Sequence, residues 1–148
     1  MNLVDIFNCE KSENFIIYNR KKIMNRRSDN GLIKIRIEQQ VKYLLDKYAD
    51  ENKLFNFYKK YSNVNNFNHS VNLGLKIIGR KIGIPNLTSY YARHSWATIA
   101  RNICKIDKYT ISEALNHSDK DMLVTDRYIE KDFEPIWEAN KKVLEMIF

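Results

Sequence analysis

The sequence predicts a mainly helical α+β domain with a small antiparallel β-sheet near its N-terminus. Two short runs rich in β-branched residues flank a turn signal early in the chain, and apolar residues recur at helical spacing through most of the rest. Only four glycines and two prolines punctuate 148 residues, of which 44% are hydrophobic, so long helices and one core are expected over residues 1–148.

Phe15-Ile16-Ile17-Tyr18 and Leu32-Ile33-Lys34-Ile35-Arg36-Ile37 read as strands, and Asp29-Asn30-Gly31 before the second is a turn signal. Together they predict a hairpin. Val41, Leu44, Leu45 and Tyr48 then fall at helical spacing, which predicts an amphipathic helix over about residues 38 to 49. Residues 50 to 68 are polar, aromatic and rich in asparagine, and Leu54, Phe55, Phe57 and Tyr58 could pack one short helix. His69 is placed in a polar loop without a role. From Ser70 a helix is expected whose apolar face is Val71, Leu75, Ile78 and Ile82, stopped by Gly83 with Pro85 beyond.

Thr88 or Ser89 can cap the next helix, with Tyr91, Trp96, Ile99 and Ile103 as its apolar contacts. Asp107 can cap a shorter one ending at Leu115, with Asn116 in its C-terminal turn, and Ser118 can cap another that leads toward Tyr128. Pro135 suits the first turn of a last helix, where Ile136, Ala139, Asn140, Val143 and Ile147 share a face.

Composition narrows the function classes. Charge interrupts every apolar run long before the ~20 residues a bilayer span needs, and the N-terminus lacks a basic start followed by an apolar stretch. A soluble, cytoplasmic protein with no membrane partner is expected. Cys9 and Cys104 lie far apart without CxxC spacing, so both read as small buried residues in a reducing compartment, and no clustered ligands suggest a metal or cofactor. The formal charge of +7 favours a polyanionic partner, and Arg20-Lys21-Lys22 with Arg26-Arg27 concentrate it on the hairpin.

Three segments carry chemistry. Thr88-Ser89-Tyr90-Tyr91-Ala92-Arg93-His94-Ser95-Trp96-Ala97-Thr98 is followed by Glu113-Ala114-Leu115-Asn116-His117-Ser118, and then by Thr125-Asp126-Arg127-Tyr128-Ile129. In order and spacing they resemble the phage-integrase family of tyrosine recombinases, especially integrases of mobile elements, such as conjugative transposons, from the Bacteroides group. That family has an arginine in an HxxRH-like context, a histidine in an LGH-like turn and a tyrosine about one helical stretch later. Arg93, His117 and Tyr128 take those places, and the likeness covers nearly the whole chain.

The resemblance implies the catalytic domain of a site-specific DNA recombinase that breaks and rejoins duplex DNA without a metal or cofactor, through a 3′-phosphotyrosine intermediate. Arg93 would hold the non-bridging phosphate oxygens with its planar fork. His117 would hydrogen-bond the same phosphate, and Tyr128 would be the nucleophile. Lys22 would protonate the departing 5′ oxygen, with Lys21 its rival by one residue of register. Tyr90 stands where the wider family has a histidine, and Asn116 replaces a glycine while tolerating the left-handed backbone. Arg20, Lys21, Arg26 and Arg27 would contact DNA, and self-association on DNA through the C-terminal helix is the expected assembly.

The family's further catalytic arginine, and its preceding DNA-clamping domain, would lie upstream of a segment like Met1-Asn2-Leu3-Val4-Asp5-Ile6. Neither has a counterpart in residues 1–148, so the chain alone is expected to bind DNA weakly and to be nearly inactive. An inactive DNA-binding remnant is therefore the alternative function. Each residue also has a plain role: Arg93 as a surface arginine, His117 as a helix-end residue, Tyr128 as one of nine tyrosines, Lys22 as a solvated charge. His94 and Trp96 read as structural. A chance motif in a basic RNA- or protein-interaction domain would leave Lys22, Arg93, His117 and Tyr128 unclustered.

Overall fold

A computed structural model describes residues 9–20, 30–51, 53–117 and 131–148. It is mainly helical with a small antiparallel sheet, as the sequence predicts, and it divides into two compact units, residues 1–89 and 90–148.

In the first unit the sheet is β1 (Glu10–Lys11), β2 (Phe15–Asn19) and β3 (Leu32–Arg36), in that order. The expected hairpin is β2–β3, with Ile16 opposite Ile35 and Tyr18 opposite Ile33. Period-two alternation sends Ile16, Tyr18 and Ile35 into a core with Cys9 and Leu54, while Phe15 and Lys34 meet on the other face at 4.3 Å. Asn30 and Gly31 both adopt positive φ, and the Arg20 N–H donates to the Gly31 carbonyl, closing the described part of the connection. The sequence missed β1, which is two residues long. Cys9 is buried as expected, Cys104 is half-buried, and no disulfide joins them.

Helix α1 (Gln39–Tyr48) falls within the predicted span, and the segment after it supplies α2 (Phe57–Lys60). Phe55, Phe57 and Phe67 stack in sequence, and Phe55 also packs against the core of Cys9, Ile16 and Leu54, so the aromatic run extends that core. Asp50 is buried, accepts a hydrogen bond from the Tyr58 hydroxyl at 2.6 Å and pairs with Lys59. Its carboxylate thus fixes the end of α1 against α2.

Helix α3 (Val64–Lys81) starts six residues earlier than predicted, because Asn63 caps it by accepting from the Asn66 N–H at 2.9 Å. His69 is therefore helical, not in a loop. The predicted apolar face is also corrected: Phe67 and Gly79 are buried, whereas Ile78 and Ile82 are more than half exposed. Gly79 faces inward because the chain returns over it. Gly83 takes φ 79°, and the Ile84 N–H then donates to the Gly79 carbonyl at 2.7 Å, a left-handed helix end that satisfies an orphan carbonyl.

The second unit contains α4 (Tyr90–Asn102), α5 (Lys108–Ala114) and α6 (Glu134–Glu145), which pack on one another. Ala100, Ala139 and Val143 form its buried apolar centre. Two predicted contacts fail here: Tyr91 and Ile103 are exposed, while Ala100 is the buried residue of α4. Ile147 lies past the end of α6 and is exposed as well. The Ser118 helix falls outside the described residues.

Asp107 caps α5 as expected, accepting from the Thr110 N–H at 2.9 Å and the Thr110 hydroxyl at 2.6 Å. Those bonds, the hydroxyl's first, hold its carboxyl below the usual carboxylate range. A carboxyl lowered on folding contributes stability at neutral pH and loses it as pH falls. Asp107→Ala is expected to destabilise the protein by about 1 kcal/mol at pH 7 and by progressively less in acid, measurable by urea unfolding at several pH values. An equal loss at every pH would exclude the charged cap.

Candidate functional site

The site begins at the end of α5. Leu115 ends the helix, Asn116 adopts φ 54°, its N–H donates to the Glu113 carbonyl, and the His117 N–H reaches back to the Ser112 carbonyl at 3.0 Å. This is a Schellman turn, with asparagine in the left-handed position that glycine usually fills. It leaves the Leu115 carbonyl facing α4 and sets the exposed His117 ring beside it.

Arg93 comes from the first turns of α4 and is half-buried. Its Nη2 donates to the Leu115 carbonyl at 2.6 Å and lies 2.8 Å from Nε2 of His117, across 24 residues of sequence. A guanidinium has no acceptor, so Nε2 must offer its lone pair. The pair is thus a fixed cation beside an imidazole on a helix-end turn. Arg93 can donate to an oxyanion there, and His117 can join it once Nε2 carries a hydrogen.

The orientation of α4 has its own support. Three residues beyond Arg93, the Trp96 indole N–H donates to Oδ1 of Asn140 on α6 at 3.2 Å. Trp96 is half-buried and Asn140 was read only as part of an apolar face, so their bond was missed. A partly buried indole needs an acceptor, and that was the available signal.

Tyr90 and His94, on the same helix, pair edge to face with ring centroids 4.7 Å apart, and Tyr90 is exposed. Arg93 and His117 are therefore brought together, while the described ring contact of Tyr90 is to His94. Arg20 follows β2 in the first unit. Lys21, Lys22, Arg26, Arg27 and Tyr128 lie outside the described residues.

Among the described residues, no group of three or more His, Cys, Asp or Glu could hold a metal ion, and no helix is long and apolar enough to cross a membrane. Comparison with protein-family models, curated proteins and solved structures returns no match.

Proposed function

We propose that this chain carries the catalytic centre of a tyrosine recombinase, a tyrosine-recombinase-like fold that transfers a DNA phosphodiester to Tyr128 and back. The observation that carries the reading is the 2.8 Å approach of Arg93 to His117, the two residues that the motif order assigns to the phosphate. Duplex DNA is the partner, approached through the basic connection containing Arg20, Lys21, Lys22, Arg26 and Arg27.

The chemistry needs these residue types. A phosphodiester resists attack because its oxygens carry negative charge, so fixed donors must neutralise them first. Arg93 supplies a permanent cation, and His117 adds a second donor once a proton is on Nε2. The Tyr128 oxygen then bonds to phosphorus as its proton passes to solvent, and the P–O5′ bond breaks. Lys22, or Lys21, protonates the departing 5′ oxygen. The phosphotyrosyl ester conserves the bond for rejoining.

A nicked duplex that loses its short 5′-hydroxyl strand after cleavage traps the ester. The chain is expected to give a slow, covalent DNA adduct mapping to Tyr128 by peptide mass, absent in Tyr128→Phe, while duplex affinity changes by less than about twofold. Adduct persisting in Tyr128→Phe would defeat the assignment. Duplex binding with no adduct in either protein would favour a remnant that only occupies DNA.

A further inference from the structure

We propose that the outward face of α3 is a docking surface for an acidic amphipathic helix of a partner protein. The inference is independent of the chemistry at Arg93. No Asp or Glu occurs between Glu51 and Asp107, so α3 carries cations and apolar groups but no acid of its own. Phe67 and Gly79 turn inward, whereas Leu73, Ile77 and Ile78 are 52%, 50% and 52% exposed. Single exposed aliphatic residues are ordinary on a protein surface, but three that adjoin on one helix make a patch.

Gly74 lies inside this patch. Residues i, i+3, i+4 and i+7 of a helix bound a hole that a side chain of a facing helix can enter, and Gly74, Ile77, Ile78 and Lys81 stand at that spacing. A Cβ on Gly74 would meet nothing within 4 Å, so a glycine that disfavours the helix interior makes room for no other part of the chain. It leaves the hole open to a knob from outside.

Charge selects the occupant. By helical spacing Lys76 and Arg80 border the patch and Lys81 closes its end; all three are exposed, and among the described residues none forms a salt bridge. The same face of a second copy would set these cations against one another. Duplex DNA or an anionic lipid surface would meet the cations but has no side chain for the hole. A helix with leucines on one face and glutamates beside them does both.

The test uses the whole chain and a synthetic helical peptide of about 20 residues, with leucine at a and d positions and glutamate at e and g. Fluorescence anisotropy should show binding, with NMR amide shifts centred on residues 70–81. Lysine in place of the peptide's glutamates should weaken binding by about tenfold or more. Gly74→Gln, which fills the hole, and Ile77→Gln, which removes its apolar wall, should each do the same by about tenfold. Neither should lower the thermal unfolding temperature, since both put a good helix former at an open position. Duplex affinity should not respond to Gly74→Gln. A peptide that fails to bind, binds Gly74→Gln equally well or shifts other residues overturns the proposal. Dimerisation, or binding to phosphatidylglycerol vesicles, that Gly74→Gln abolishes also overturns it, giving the face to a second copy or to a lipid surface.

Discussion

Gly79→Ala is expected to destabilise the protein by about 2 kcal/mol, the largest effect on stability among the changes considered. A Cβ on Gly79 would lie 2.2 Å from the Ile84 carbonyl oxygen and 2.8 Å from the Leu87 Cβ. The first is backbone and cannot rotate aside. The Ile84 N–H also donates to the Gly79 carbonyl, so pushing the chain away sacrifices the bond that ends α3. Alanine's better helix propensity returns only about 1 kcal/mol. Thermal unfolding should fall by roughly 5–10 °C, while Gly74→Ala, with open space around its Cβ, should not lower it. Equal behaviour of the two variants would contradict the crossing of residues 84–87 over α3.

The largest effect on function is expected at Arg93. On the proposed recombinase chemistry, Arg93→Ala should slow formation of the Tyr128 adduct by about 100-fold or more, because it would remove a preorganised cation from the reacting phosphate. Arg93→Lys should recover little, since an ammonium cannot bond two sites in one plane. On the same reading, duplex affinity should fall far less than the rate, since Arg93 would be one phosphate contact among many. Both variants lose a bond to the Leu115 carbonyl, so circular dichroism must first establish that α5 persists. A folded Arg93→Ala protein that forms adduct at the wild-type rate would remove Arg93 from the chemistry.

The hairpin, α1 and the Asp107 cap were readable because each leaves a local signature: alternation, helical spacing, or a carboxylate before a helix. Asn116 was readable for the same reason, since few residues tolerate its backbone. Other features depend on partners far along the chain. The start of α3 at Asn63 was hidden among several asparagines with equal claims to the cap. The burial of Gly79 follows from the return of residues 84–87 over it, which no spacing rule contains. At the site, Arg93 and His117 were named from motif order, but the Leu115 carbonyl that holds the guanidinium is backbone and has no residue signature. Asn140 was visible only as a helix-face position until Trp96 required an acceptor.

The structure of the chain bound to a nicked duplex tests most directly whether one DNA phosphate is held for transfer to Tyr128. The scissile phosphate should lie within hydrogen-bond distance of Arg93 and Nε2 of His117, with the Tyr128 hydroxyl, from the same or a neighbouring copy, aligned on its phosphorus. DNA bound on another surface, with Arg93 still closed on Leu115 and His117, would contradict it.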